Sequence, residues 1–284
     1  MKGNIFSRMT AWLLNGYGIL FFIFLYLPII LIAIYSFNAN PINMMIWQEF
    51  SIDWYLSLFG MRNHLADNAL YIDSSDQVLN ALKNSVIIAS ITTVISTVIG
   101  TMTALALIRY RFCLQGFYRF LMYMPMMMPD IILGIALLIF FVNVGIPLGR
   151  TSIILGHCTF LCSYVFLIVS ARLAGMDTRL EEASYDLGAN RWVTFRRITL
   201  PMLLPSIIGG ALLAFIISMD DLVITYFISG VDATTLPVQI YGMIRRGIKP
   251  EINVIATLLI LVSLLIAAAG LYLRNRNGNK EGKL

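Results

Sequence analysis

Six long runs of apolar residues, at about 19–37, 85–108, 120–144, 153–169, 207–228 and 252–273, leave this chain few folds to choose from. A helix crosses the hydrocarbon of a bilayer with roughly 20 such residues, and each run is near that length. The 284 residues are 59% hydrophobic and only 12% charged, about half the charged share of a soluble domain. The longest stretches between runs, 38–84 and 170–206, are too short to enclose a second core. The expected fold is therefore an all-α membrane protein of six transmembrane helices, forming one domain over residues 1–284.

The basic residues sort by side. Lys2 and Arg8, Arg109, Arg111 and Arg119, the five arginines from Arg172 to Arg197, and Arg274, Arg276, Lys280 and Lys283 fall on one side of the runs, fourteen of the 20 lysines and arginines. Such an excess marks the cytoplasmic face, so both termini are expected in the cytoplasm. The net charge of +5 is then a matter of topology, and nucleic acid is not an expected partner. The first run follows only Lys2 and Arg8 and has no small-residue cleavage site after it, which reads as an uncleaved signal anchor. Cys113, Cys158 and Cys162, odd in number and in or beside apolar runs, make no disulfide framework.

The first outward loop carries Glu49, Asp53, Asp67, Asp73 and Asp76 against Arg62 and Lys83, a net negative surface that favours a cation or a basic partner. Trp47, Trp54 and Tyr55 either stack on a cation there or anchor the chain at headgroup level. No Gly-x-x-x-x-Gly-Lys-Ser/Thr sequence occurs, so the chain has no phosphate cradle for ATP. No internal repeat is evident, which weighs against a secondary transporter built from duplicated halves.

Asp130, Asp220 and Asp221 fall inside apolar runs, where an acidic side chain costs about 2.5–3.5 kcal/mol or more unless it is paired or wet. At about 1.5 Å per residue, Asp130 lies roughly 16 Å from Arg119 and Asp220 roughly 22 Å from Pro205, depths that suit a cavity on a central path. The runs hold no lysine or arginine, so a cargo with several ammonium groups would supply the missing counter-charge. The alternative is structural: Asp130 caps a helix broken after Pro129, and Asp220 or Asp221 bonds backbone or a neighbouring subunit. Met124, Met126, Met127 and Met128 surround Pro125 and Pro129, a break tolerated only beside protein or water, with adaptable packing around it. His157, Cys158 and Cys162 lack a fourth ligand for zinc, so no metal site is expected. Asp130 and Asp220 would equally serve as cation or proton sites of an ion-coupled transporter that works alone. A membrane-embedded enzyme would need His157 as a catalytic group, and the sequence gives it no fixed carboxylate partner.

The segment at about 177–201 is the most structured of the cytoplasmic connections. Asp177 or Thr178 can cap a helix whose first turn holds Glu181 and Glu182, and Gly188 sits where that helix would end in a left-handed residue. A second short helix follows, and Pro201 and Pro205 favour a sharp change of direction before the fifth run. Glu182 and Asp186 share one face of the first helix.

Glu182-Ala183-Ser184, then Gly188, then Ile198-Thr199-Leu200-Pro201 resembles the EAA loop of permease subunits in ATP-binding-cassette importers, with serine in place of the third alanine. The resemblance implies a type I importer permease fold in which this loop is a cytoplasmic coupling helix, with Glu182, Ala183, Asp186 and Gly188 facing an ATPase subunit. A narrower resemblance rests on Pro129-Asp130-Ile131, Gly156-His157-Cys158-Thr159-Phe160, Ser218-Met219-Asp220-Asp221-Leu222-Val223, Thr235-Leu236-Pro237, Ile240-Tyr241 and the stretch from Gly247 to Asn253. These are similar to the permeases of spermidine/putrescine importers, the C-type subunit in particular. That likeness implies polyamine import across a bacterial inner membrane, with Trp54 and Ser218 joining Asp130, Asp220 and Asp221 on the cation path. It also implies a second, homologous permease, two ATPase subunits that hold the ATP and magnesium, an external polyamine-binding protein, and no cofactor in this chain. The first outward loop is longer than the family leads one to expect, so nothing around 62–75 is inherited from the comparison.

Overall fold

The computed structural model describes residues 3–40, 46–58, 72–231, 233–246, 252–261 and 263–265. Arg62 and Asp67, the stretch 247–251 and the sixth run beyond residue 265 lie outside them. The described chain is helical: α1 (Gly3–Tyr35), α2 (Asp53–Leu58), α3 (Ile72–Arg109), α4 (Gln115–Met127), α5 (Asp130–Val144), α6 (Arg150–Ala174), α7 (Arg179–Asp186), α8 (Arg191–Thr194), a π-helical turn (Phe195–Thr199), α9 (Leu200–Asp220), α10 (Val223–Ile228) and α11 (Leu236–Arg246). A shorter apolar helix, α12, covers Ile252–Leu265. Among the described residues the only extended pairing is an isolated bridge between Asn38 and Phe50, so the all-α class holds.

Among the described residues, four helices are long and apolar enough to cross a membrane as single rods: Thr10–Tyr35, Asp76–Arg109, Arg150–Ala174 and Arg191–Asp220. The third apolar run is not a rod. Its two pieces, α4 and α5, meet at 109°, because Pro129 has no N–H to continue the ladder and forces Met128 into an extended conformation (φ −80°, ψ 136°). The fifth run also breaks, at Asp221, which is extended (φ −66°, ψ 119°) between α9 and α10. Conversely, the change of direction expected at Pro201 does not occur. Arg191–Asp220 reads as one helix, since the π-turn lets the Leu200 N–H reach back to the Phe195 carbonyl, and the widened turn leaves room for a proline ring one residue later.

The described residues divide into two compact units, Met1–Ser75 with Gly242–Leu284, and Asp76–Tyr241. In the first, the chain leaving α1 is tied to α2. Backbone bonds run from the Ala39 N–H to the Glu49 carbonyl and from the Ser51 N–H to the Phe37 carbonyl, while the Phe37 ring stacks on Phe50 and Tyr55.

In the second unit α6 is the central element, packed against α4, α5, α9 and α10. Its Leu161, Val165, Phe166 and Val169 are fully buried. Glycines let neighbouring backbones come close: a Cβ on Gly100 of α3 would stand 2.8 Å from the Cys162 carbonyl oxygen and 2.8 Å from the Val165 Cβ. Gly210 of α9 faces the same Val165. Small residues at such crossings are what lipid-embedded helices use to pack, since the apolar solvent gives no hydrophobic drive.

Candidate functional site

The two helix breaks lie on one cavity. It has a volume of about 290 Å³ and is lined from α4 and α5 by Pro125, Met126 and Asp130, from α6 by Phe160 and Tyr164, and from α9 and α10 by Ile216, Ile217, Asp220, Asp221, Leu222, Val223 and Ile224. The three intramembrane aspartates singled out from the sequence thus come together, although 90 residues separate Asp130 from Asp220. No lysine or arginine stands among its described lining residues.

The three carboxylates differ in surroundings. Asp130 opens the first turn of α5 and is exposed, where the unpaired N–H groups of the helix start favour a negative charge. Asp220 ends α9 and is exposed as well. Asp221 has its Oδ2 occupied: it accepts from the Thr225 backbone N–H at 2.8 Å and from the Thr225 hydroxyl at 2.7 Å, and so caps the start of α10. The structural alternative raised for these acids therefore describes Asp221, while Asp130 and Asp220 line the cavity with no hydrogen bond or ion pair to another described residue.

His157, on α6, is the residue the sequence reading undervalued. It is 0% exposed, and both ring nitrogens are used. Nδ1 lies 2.8 Å from the Ser218 hydroxyl, and Nε2 lies 2.9 Å from the Thr225 hydroxyl and 3.2 Å from Asp221 Oδ2. The expectation that the intramembrane acids have no internal basic partner, and His157 no carboxylate, is thus corrected for this pair. The residues are 64 positions apart, and only the packing of α10 onto α6 joins them. A serine, a histidine and an aspartate in a row invite comparison with hydrolytic relays, but Ser218 is 4% exposed and His157 fully enclosed, so no substrate reaches the hydroxyl. The cluster fixes structure. Among the described residues no group of histidine, cysteine and acidic side chains is placed to hold a metal.

Trp54 lies in the other unit and is 1% exposed, its indole N–H donating to the Asn38 carbonyl at 2.9 Å. Ser218 sits on α9 facing His157.

The 177–201 segment folds largely as its sequence suggests. Asp177 Oδ1 accepts from the Arg179 N–H at 2.9 Å, starting α7. At its end Gly188 is left-handed (φ +83°), with the Gly188 N–H on the Tyr185 carbonyl and the Ala189 N–H on the Ser184 carbonyl, the pairing of a Schellman motif. Glu182, Ala183, Asp186 and Gly188 are all exposed. Ser184 is buried and its hydroxyl meets that of Thr194 at 3.0 Å, tying α7 to α8. Glu181, read from sequence only as a helix-start charge, bonds Arg109 at 2.6 Å and the Thr199 hydroxyl at 2.7 Å. Asn190, which caps α8 by accepting from the Val193 N–H at 2.9 Å, went unnoticed although asparagine before a helix is a legible signal.

Comparison with known proteins places these features. Residues 96–276 match the family described as "Binding-protein-dependent transport system inner membrane component". The chain is 36% identical over 268 residues to the spermidine/putrescine transport system permease protein PotC of Haemophilus influenzae, covering 94% of this chain and 98% of that one. It is 40% identical over 246 residues to the putrescine transport system permease protein PotI of Escherichia coli, covering 84% and 82%. Among solved structures it superposes with a TM-score of 0.65, at 16% identity and over 95% of its length and 96% of the other chain, on a bacterial ABC transporter involved in import of the acidic polysaccharide alginate. That likeness carries the fold alone, and it is the fold of the type I importer permeases. The chain belongs to the binding-protein-dependent transport system inner membrane components, as a multi-pass permease subunit of an ABC importer.

Proposed function

We propose that this chain is one half of the transmembrane path by which an ABC importer brings polyamines, spermidine or putrescine, into the cytoplasm. The observation that carries the reading is the cavity between the two helix breaks, lined by Asp130 and Asp220, two carboxylates with no hydrogen bond or ion pair to any other described residue. Two such groups in a lipid-embedded protein are costly unless water or a cation meets them. A flexible chain with several ammonium groups fits, because each ammonium offers two or three N–H donors to acceptor-only carboxylates. Phe160 and Tyr164 add aromatic rings to the same lining, and aromatic rings attract a partly desolvated cation. Names of the relatives at 36% and 40% identity point to the same cargo.

Import needs more than this chain. In our reading a second, homologous permease closes the path, an external binding protein delivers the cargo, and two ATPase subunits hold ATP and magnesium and drive the cycle. The chain lies in a bacterial inner membrane with both termini in the cytoplasm. The contact to the ATPase is the α7–α8 segment, which offers the acids Glu182 and Asp186 beside Tyr185, Leu187 at 89% exposure and Trp192 at 67%. So much uncovered apolar surface on a capped, ordered element suits a partner's cleft. A motor can bias the path only if this element has two arrangements that nucleotide favours unequally.

The test is ATP-dependent uptake of radiolabelled spermidine and putrescine by the assembled complex in proteoliposomes, with Asp130→Asn and Asp220→Asn beside wild type. Each variant is expected to raise KM by about tenfold or more, the worth of a hydrogen bond to a charged group. Unchanged uptake in both would remove the cavity from the path.

A further inference from the structure

Position α10 explains why Asp220 faces the cavity. This short helix, Val223–Ile228, follows α9 after an extended Asp221, and nothing in a two-residue connection fixes the angle between them. The fixing comes from α6. At the far end of α10 the buried Ser152 hydroxyl donates to the Ile228 carbonyl at 2.8 Å. Between the ends Gly156 lets Ile228 lie against the α6 backbone, for a Cβ at that glycine would collide with the Ile228 side chain. At the near end His157 reaches both sides of the break: Ser218, two residues before Asp220 on α9, and Asp221 with Thr225 on α10.

The chemistry of those contacts is directional. An ionised Asp221 only accepts, and its Oδ2 already takes the Thr225 N–H and O–H. Nε2 therefore carries a proton, shared between Asp221 and Thr225, and Nδ1 pairs with the Ser218 hydroxyl. One enclosed ring thus ties the end of α9 to the start of α10, with Asp220 on the segment it spans. The ring itself does not line the cavity.

We propose that His157 is a positioning residue for cargo recognition, acting through Asp220: by clamping Ser218 to Asp221 and Thr225 it sets the α9–α10 angle and with it the place of the Asp220 carboxylate. The inference rests on the polyamine reading above, and it adds a residue that never touches cargo. Because the clamp uses particular atoms, substitutions grade by the bonds they keep. Gln places an amide N–H near the place of Nε2 and retains the donor to Asp221. Leu fills a similar volume and keeps neither bond.

The experiment is a double-mutant cycle on spermidine uptake by the whole importer in proteoliposomes, with His157→Leu and His157→Gln each made alone and with Asp220→Asn. The amount of complex that co-purifies is recorded for every variant. His157→Leu is expected to raise KM about tenfold, with Vmax per assembled complex kept within about twofold. His157→Gln should recover part of the loss, and neither change should raise KM further once Asp220 is Asn. Multiplying effects of the His157 and Asp220 changes would overturn the proposal, since His157 would then act independently of that carboxylate. A His157→Leu complex that assembles with normal KM would also overturn it. So would a defect confined to yield and Vmax that Gln does not relieve, which marks a purely structural histidine. If wild type moves no polyamine at all, the cargo reading fails first and takes this inference with it, an outcome visible before any variant is compared.

Discussion

Arg109, in the last turn of α3, and Glu181, in the first turn of α7, are joined by an ion pair of 2.6 Å between partly enclosed side chains. The Thr199 hydroxyl donates to the same carboxylate oxygen of Glu181. One acid therefore connects the C-terminal end of α3, the start of α7 and the π-turn that leads into α9. Glu182, its neighbour, is exposed.

That contrast sets the first prediction. Glu181→Gln keeps a partner for Thr199 but loses the charge, and is expected to cost about 1–2 kcal/mol, between the value of an exposed pair and that of a fully enclosed one. Glu182→Gln should change stability by less than about 0.5 kcal/mol. Thermal unfolding of the purified complex in detergent measures both, and equal shifts would deny Glu181 its structural place.

Gly188 supplies the second. With φ at +83° and nothing within 4 Å of a Cβ placed there, an alanine meets no neighbour and is disfavoured only by its backbone, by about 1–2 kcal/mol. Gly188→Ala should therefore loosen the end of α7 and lower ATPase co-purification, with cargo KM unchanged in whatever complex remains. Gly188→Asn, more at ease in the left-handed region, should do less harm. Co-purification equal to wild type for Gly188→Ala would detach this turn from docking.

Gly100 and Gly116 make the third. Both are helical glycines, yet a Cβ on Gly100 runs into the backbone and Val165 of α6 while one on Gly116 meets nothing within 4 Å. Gly100→Ala is expected to destabilise by about 1–3 kcal/mol through overpacking. Gly116→Ala should be neutral or slightly stabilising. Folded yield in membranes and the thermal midpoint read the difference.

Trp54 gives the fourth. Trp54→Phe keeps most of the ring and loses the N–H bonded to Asn38, at an expected cost of about 0.5–1.5 kcal/mol for that hydrogen bond. Uptake should fall in proportion to folded permease, with cargo KM unchanged. A raised KM at full yield would instead place the indole on the cation path, as the family likeness implied.

Much of this was legible in the sequence because lipid is an unforgiving solvent: apolar runs announce spans, and the cost of Asp130, Asp220 and Asp221 announces a cavity. The coupling segment was legible for a different reason, since capping signals such as Asp177 and Gly188 act within four residues. Hydropathy could not tell a rod from the bent α4–α5 pair, because both are equally apolar. Pro201 misled, as a proline's effect depends on whether the turn before it can widen. The place of His157 stayed hidden for want of any local pattern: it meets Ser218, Asp221 and Thr225 only through the stacking of α6, α9 and α10.

The bend at Met128-Pro129 has a consequence for electrical insulation. The pieces on either side have 13 and 15 residues, about 20 and 22 Å of helix, and the hydrocarbon layer is about 30 Å thick. Neither piece bridges it alone, so the severed peptide groups at the elbow must be covered by protein or reached by water. At this spot any barrier to ion leak has to come from packing around the elbow, where Pro125 and Met126 line the cavity, rather than from the thickness of the oil.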